Sequence, residues 1–359
     1  MKKEFQQLVK CIVWDLDHTI WTGTLAEDSS VVVRPEIIEI IRLLDERGIL
    51  HSIASRNSHD HAMTRLSELG ISDYFLYPQI NWGPKSDSIS KIADSLNIGL
   101  DSLVFVDDQS FERDEVSFNL PEVLCVDAVD PRSVDWLRDV RPRFITDDSA
   151  KRRSMYQSDL RRNQVEENFA GPKEEFLASL KLRFSISRTT IDDLKRAEEL
   201  TVRTNQLNTT GLTFSYDELH EFIQSSDHIF LVAGLDDRYG PYGKIGLALI
   251  EVRDSNWKIK LLLMSCRVMA RGVGNILVNF IRQKAKEAKA SLFADFIETD
   301  RNRMMYMTYK FNQFYETSRD GKSLILANDL SAIPPVPEYI ELNTDDLDFL
   351  HAQSRGLAG

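Results

Sequence analysis

Short apolar runs alternate with stretches of helical spacing through residues 9–145. CIVWDLD, from Cys11, reads as a buried strand that runs into two carboxylates. PEIIEIIRLLDERG has a proline start, apolar residues at helical spacing and a glycine stop, which predicts a helix from Pro35 to Arg47. ILHSIAS follows as a second strand, SHDHAMTRLSELG as a helix, YFLYPQ as a third strand, KSDSISKIADSLN as a helix and SLVFVDD as a fourth strand. This βαβα rhythm predicts a parallel sheet with helices on its faces.

Residues 146–180 are charge-rich and helix-prone, the pattern of a helical linker. From Leu182 a second pattern begins. LKLRFSIS is a strand, TIDDLKRAEELTVRT a helix, and HIFLVAGL, IGLALIEV and WKIKLLLMSC are strands. A helix is expected in GVGNILVNFIRQKAKEAK and a late strand in LFADFI. The end of the chain is Pro-rich, then acidic, and reads as a tail outside the core. The expected domains are therefore 1–145, the linker 146–180, 181–335 and the tail 336–359, all of α/β class.

A length of 359 residues favours two domains over one, and 42% hydrophobic residues suffice for two cores. With 56 acids against 44 bases the formal net charge is −12, which argues against nucleic acid or an anionic membrane as partner. The three cysteines, Cys11, Cys125 and Cys266, are far apart and form no zinc or disulfide pattern. No stretch approaches a membrane span, and the amino terminus lacks the apolar run of a signal peptide. The expectation is a cytoplasmic protein.

Ligands of open α/β sheets sit outside the carboxyl ends of the strands. Asp15 and Asp17 close the first predicted strand, Ser55 the second, Asp107 and Asp108 the fourth, and Lys85 opens a helix after the third. Such a set suits phosphoryl transfer. An aspartate can attack phosphorus, and a second acid can protonate the leaving oxygen. Clustered carboxylates attract Mg²⁺, while a hydroxyl and an ammonium hold phosphate oxygens.

DLDHT, SIAS, GPKS and FVDDQSFERDE stand in the order of the four motifs of the haloacid dehalogenase (HAD) superfamily, which this half of the chain resembles. The resemblance implies a Rossmannoid sheet, with Asp15 as nucleophile and metal ligand. It implies Asp17 as general acid/base with its backbone carbonyl on the metal, phosphate binding by Ser55, Arg56 and Lys85, and completion of the Mg²⁺ site by Asp107 and Asp108. Which of these last two binds directly stays open. About 38 residues separate Asp17 from Ser55 and about 30 separate Ser55 from Lys85, too few for a large cap domain in either gap.

In the second half, IKLLLMSCRVMARGVGNILVNFI places Arg271, Gly272 and Gly274 near a helix start, where free backbone N–H groups favour anions. The stretch resembles the pyrophosphate loop of GNAT acyltransferases, with Met269 where that motif has Gln or Arg. Cys266 is either a small buried residue or a nucleophile favoured by nearby Arg267. In TVRTNQLNTTG, Asn205 and Gln206 are either turn formers or a polar substrate contact. His220 and His228 read as surface histidines rather than partners of Cys266.

Taken together, VKCIVWDLDHTIWTGTLAED, RTNQLN and LLLMSCRVMARGVG resemble the FkbH-like family. That resemblance implies a glyceryltransferase/phosphatase of polyketide biosynthesis. Such an enzyme dephosphorylates 1,3-bisphosphoglycerate and loads the glyceryl group onto an acyl carrier protein through a thioester on Cys266. Arg267, Arg271, Gly272 and Gly274 would then receive the carrier's phosphopantetheine arm. The competing expectation is a stand-alone Mg²⁺-dependent phosphatase with a non-catalytic second domain.

Overall fold

The computed structural model describes residues 8–27, 31–204 and 206–344. The chain divides into two compact units, Met1–Leu160 and Arg161–Gly359.

The first unit holds β1 (Cys11–Trp14), the hairpin strands β2 (Trp21–Thr22) and β3 (Val32–Val33), then β4 (Leu50–Ser55), β5 (Gln79–Ile80), β6 (Leu103–Asp107) and β7 (Leu124–Asp127). Apart from the hairpin they form one parallel sheet in the order β5-β4-β1-β6-β7. Alternate residues bury into opposite faces. Ile12, Trp14, Ile53, Val104 and Val106 meet the helices Pro35–Glu46 and Pro131–Asp139. Cys11, Val13, Leu50, Ala54 and Phe105 meet the helix Lys85–Leu96. Burial on both faces explains why these strands read as unbroken apolar runs. The strand order reverses between β1 and β6, which places the crevice at their carboxyl ends.

The third predicted strand differs. Ser72–Tyr74 is a 3₁₀ turn, only Phe75 bridges to His51, and the paired strand is Gln79–Ile80. Tyr77 adopts a left-handed conformation (φ 50°) and Pro78 offers no N–H, so an extended run through YFLYPQ is broken there. A fifth strand, β7, extends the sheet and gives Cys125 its strand setting.

The second unit holds β8 (Leu182–Arg188), β9 (His228–Asp237), β10 (Gly240–Arg253), β11 (Asn256–Met264), β12 (Ser291–Ile297), β13 (Phe314–Asp320), β14 (Ser323–Asn328) and β15 (Ile340–Thr344). They form one mixed sheet in the order β13-β14-β12-β11-β10-β9-β8-β15. The helix Val273–Glu287 packs on one face through Ile276, Leu277 and Ile281, and the helices Leu194–Arg203 and Tyr216–Gln224 pack on the other through Leu200 and Leu219. Both units are α/β, the class expected.

Two stretches expected outside the cores belong to them. Residues 146–180 contain the helices Asp147–Ala150, Arg152–Glu167 and Lys173–Leu180. Phe176, Leu177 and Leu180 enter the second core, and Arg162 makes a fully buried bidentate pair with Asp237 (2.7 and 2.8 Å). Within the expected tail, β15 pairs in parallel with β8, because Ile340 finds an apolar site at the sheet edge. Among the described residues no helix is long and apolar enough to cross a membrane.

One buried polar residue gives the first unit a pH dependence. His51 Nδ1 accepts from Trp14 Nε1 (3.0 Å), so its protonated Nε2 donates to the Ile41 carbonyl (3.0 Å). Burial holds its pKa down to about 3, against 6.5 when unfolded. The unfolded chain therefore takes up a proton below pH 6.5 that the folded chain refuses until about pH 3, and stability falls as pH drops through that window. His51→Gln, which keeps one donor and one acceptor, should remove about 1.4 kcal/mol per pH unit of this loss between pH 6 and 4. Denaturant unfolding at each pH reads the slope, and identical slopes for the two proteins would exclude this role.

Candidate active site

The parallel sheet brings together most of the phosphoryl-transfer set. Asp15 leaves β1 while its N–H still pairs with the Val106 carbonyl of β6 (2.9 Å), so its carboxylate stands beside the end of β6. There Asp107 is fully buried. Lys85, the first residue of its helix after Pro84, reaches between them, with Nζ 2.6 Å from Asp15 Oδ1 and 2.5 Å from Asp107 Oδ2. The Ser55 hydroxyl donates to Asp15 from the end of β4.

The electrostatics follow from this burial. Loss of water pushes the Asp15 carboxyl up, against the pull of Lys85, and Asp107 adds to the rise. Burial draws the Lys85 ammonium down, but Asp15 and Asp107 outweigh it and leave it above its ordinary value. Asp108 is also raised, first by burial and then by Asp107. One ammonium thus faces three carboxylates. The ligand atoms of Asp15, Asp107 and Asp108 lie within 4.8 Å of one another, and Asp108 Oδ1 is buried with no hydrogen-bond partner. An all-oxygen donor set with excess negative charge and an orphaned oxygen fits a hard divalent cation.

Asp17 stands apart from that cluster. Its Oδ1 accepts from Trp21 Nε1 (2.7 Å) and from the Leu25 N–H (3.1 Å), and its Oδ2 accepts from Asn57 Nδ2 (3.1 Å). Arg56 is half-exposed and pairs with the buried Glu112 at 3.0 Å. Only the β2–β3 hairpin and one helix are described between Asp17 and β4, and one helix with a 3₁₀ turn between Ser55 and β5, so no cap domain intervenes among the described residues.

Several supporting residues carry no motif. Arg113 binds the Asp107 carbonyl and the Asp127 carboxylate (both 2.8 Å), bracing the ends of β6 and β7. The Gln109 N–H donates to Asp107 Oδ1 (2.7 Å). Asn57 is the residue most easily overlooked. It sits two positions past Ser55, and nothing in the spacing shows that it reaches Asp17.

The second constellation is arranged differently from its sequence reading. β11 ends at Met264, and Cys266 opens a 3₁₀ turn, Cys266–Arg271, rather than closing the strand. Cys266 is half-buried against the apolar core. Arg267 donates to the Tyr242 carbonyl (3.4 Å). The family resemblance assigns Arg271 to a pantetheine arm. It is instead buried, pairs with Glu166 at 2.9 Å and lies over Phe176, because its guanidinium satisfies charge inside the unit. Gly272 is left-handed (φ 77°) and a Cβ there would stand 3.1 Å from the Tyr339 hydroxyl, so glycine is required for the turn itself. Gly274, in the first turn of the next helix, has ordinary space around it.

Asn205 lies outside the described residues, and Gln206 is exposed. The adjoining Leu207–Thr209 has a structural task. β11 and β12 pair only from Asn256–Ile259 with Ser291–Ala294, and then diverge. In the gap, Met264 N–H donates to the Leu207 carbonyl, Thr209 N–H to that of Leu262, and Ile297 N–H to that of Thr209 (2.9–3.0 Å). A cavity of about 490 Å³ in this unit is lined by Phe214, Phe222, His228, Lys260 and Asp295 among others, and by none of the expected site residues that are described. His228 is part of that wall, and His220 contacts Gln224 on its helix.

No family model matches the chain. In its N-terminal region it is similar to human magnesium-dependent phosphatase 1, with 27% identity over an alignment of 139 residues that covers 33% of this chain and 78% of that protein. Among solved structures, one similar chain is the N-terminal part of a Bacteroides fragilis protein containing a phosphatase domain, complexed with Mg. The identity is 29% and the TM-score 0.35, over 38% of this chain and 41% of that one, so the match spans under half of the Bacteroides chain. Another is the ribosomal-protein-S18-alanine N-acetyltransferase of Escherichia coli, at 16% identity and TM-score 0.33, over 42% of this chain and 95% of that one.

The charge balance around Lys85 is testable by itself. Lys85→Met leaves two adjacent buried carboxylates without their counter-ion and should cost about 3–5 kcal/mol of stability in chelator. A millimolar divalent cation should restore part of that loss. Equal unfolding midpoints for the variant and the wild type in chelator would contradict the placement of the ammonium between Asp15 and Asp107.

Proposed function

We propose that the chain is a bifunctional enzyme, a Mg²⁺-dependent phosphatase in its first unit and a glyceryl transferase in its second. The observation that carries the phosphatase half is Lys85 held between Asp15 and Asp107, with Asp108 beside them, at the strand ends where the sheet order reverses. The similarity to a human magnesium-dependent phosphatase supports the same reading. Mg²⁺ bound by Asp15, Asp107 and Asp108 would offset the repulsion between these carboxylates and a phosphate.

In this reading an Asp15 oxygen attacks phosphorus as the ester P–O bond breaks, giving an aspartyl-phosphate. Asp17 passes its proton to the departing oxygen. Its carboxylate then takes a proton from the water that attacks the aspartyl-phosphate, which releases phosphate and restores both acids. Ser55 and Lys85 hold phosphate oxygens, and Arg56 stands nearer solvent for the rest of the substrate.

The substrate proposed is 1,3-bisphosphoglycerate. Its acyl phosphate is already activated. The Cys266 thiolate displaces that phosphate, forms a glyceryl thioester and hands the acyl group to the phosphopantetheine thiol of an acyl carrier protein, one thioester replacing another. The 3-phosphate is an ordinary ester and needs the Asp15 site. Polyketide assembly is the setting in which a carrier-bound glyceryl unit is consumed. The second reading, a phosphatase whose other unit is not catalytic, is favoured by one observation: Arg267 and Arg271 bind inside the unit rather than facing a ligand.

Incubation with 1,3-bisphosphoglycerate, Mg²⁺ and a phosphopantetheinylated carrier, read by intact-protein mass spectrometry, separates the two. A glyceryl-sized adduct on the wild type, absent from Cys266→Ala and chased onto the carrier, is the expected result. In Asp15→Asn the adduct should retain its phosphate. Phosphate release with no adduct and no loading would leave the phosphatase alone.

A further inference from the structure

We propose that Asn57 and Trp21 are positioning residues that hold the Asp17 carboxyl in one orientation, with Oδ2 as the oxygen left open to the reacting group. The inference rests on the phosphatase reading above and deepens it.

A carboxylate oxygen accepts about two hydrogen bonds in the plane of the group. Asp17 Oδ1 already has two donors, Trp21 Nε1 at 2.7 Å and the Leu25 N–H at 3.1 Å. Oδ2 has one, Asn57 Nδ2 at 3.1 Å. The in-plane position that no protein donor fills is therefore on Oδ2, and that side of the carboxyl is the one left open to a reacting group. Each donor is itself fixed. Trp21 is fully buried and opens the β2–β3 hairpin. Asn57 is 3% exposed, and its own Oδ1 accepts from the Ser58 N–H at 2.9 Å, which sets the orientation of its amide and turns Nδ2 toward Asp17. Trp21 on β2 and Leu25 in the connection from β2 to β3 fix one oxygen of the carboxyl, and Asn57 in the loop following β4 fixes the other.

The chemistry predicts where this matters. An alkoxide is a poor leaving group and needs a proton as the P–O bond breaks, whereas a nitrophenolate leaves without one. Misorienting Asp17 should therefore slow alkyl esters selectively. The ratio kcat/KM isolates the steps up to departure of the alcohol, before water attacks the aspartyl-phosphate.

The test measures kcat/KM for glycerol phosphate and for p-nitrophenyl phosphate with Mg²⁺ in the wild type, Asn57→Ala, Trp21→Phe, Asp17→Asn and Asp15→Asn. Circular dichroism establishes that each variant is folded. Asn57→Ala should lower the alkyl-to-aryl ratio by about 10- to 100-fold, approaching the effect of Asp17→Asn, in keeping with the usual contribution of a general acid. Trp21→Phe keeps the aromatic ring system in part and should move the ratio in the same direction. Should it fail to fold, Asn57→Ala decides alone. A parallel fall for both esters, or an unchanged ratio in Asn57→Ala, would overturn the positioning role while leaving the phosphatase reading intact. Turnover that survives in Asp15→Asn would instead overturn the phosphatase reading, and the inference with it.

Discussion

Two buried carboxylates can both stay ionised in one site only with a counter-charge, and Lys85 supplies it. Asp15 and Asp107 stand side by side because β1 and β6 are neighbours in a parallel sheet. At an effective dielectric constant near 20, like charges about 4 Å apart repel by about 4 kcal/mol. The ammonium offsets that penalty between Asp15 and Asp107 but leaves Asp108 without a counter-ion of its own, with one oxygen orphaned. The surroundings serve this arrangement. Pro84 starts the helix so that Lys85 emerges at its first position, and Arg113 ties the ends of β6 and β7. A site so rich in negative charge is poised for a cation, and a cation is what makes it able to accept a phosphate.

The parts of this site that lie at strand ends were legible in the sequence. Asp15, Ser55, Lys85 and Asp107 each mark a change from an apolar run to a turn or a helix, and the sheet topology then gathers them. Asn57 and Trp21 were not legible as partners of Asp17, because a contact between side chains of separate loops leaves no periodic trace. The third strand lies later than its apolar run predicts because Tyr77 adopts a left-handed backbone before a proline, which overrides the apolar character of the run. β15 reads as tail in the sequence because a short edge strand is recognised by its neighbour and not by its own composition.

The second unit teaches a related lesson about charge. Free backbone N–H groups at a glycine turn read as an anion site in sequence, and Arg271 beside that turn pairs with Glu166, far back in the chain. The odd stretch TNQLNTTG divides in two. Its second half fills the divergence of β11 and β12 with backbone hydrogen bonds, a role that pattern reading cannot assign because it depends on where two strands separate. Cys266 stands on a turn that ends at the left-handed Gly272, and the 490 Å³ cavity is walled by other residues.

The proposed chemistry stands or falls on Asp15 forming a bond to phosphorus. Quenching the enzyme during turnover, reducing the acyl-phosphate with borohydride and sequencing the peptides by mass spectrometry reads this directly. The carboxyl that carried phosphate becomes a primary alcohol, so homoserine should appear at position 15 and at no other aspartate. Continued phosphate release with an unmodified Asp15, or with homoserine at another position, would contradict it.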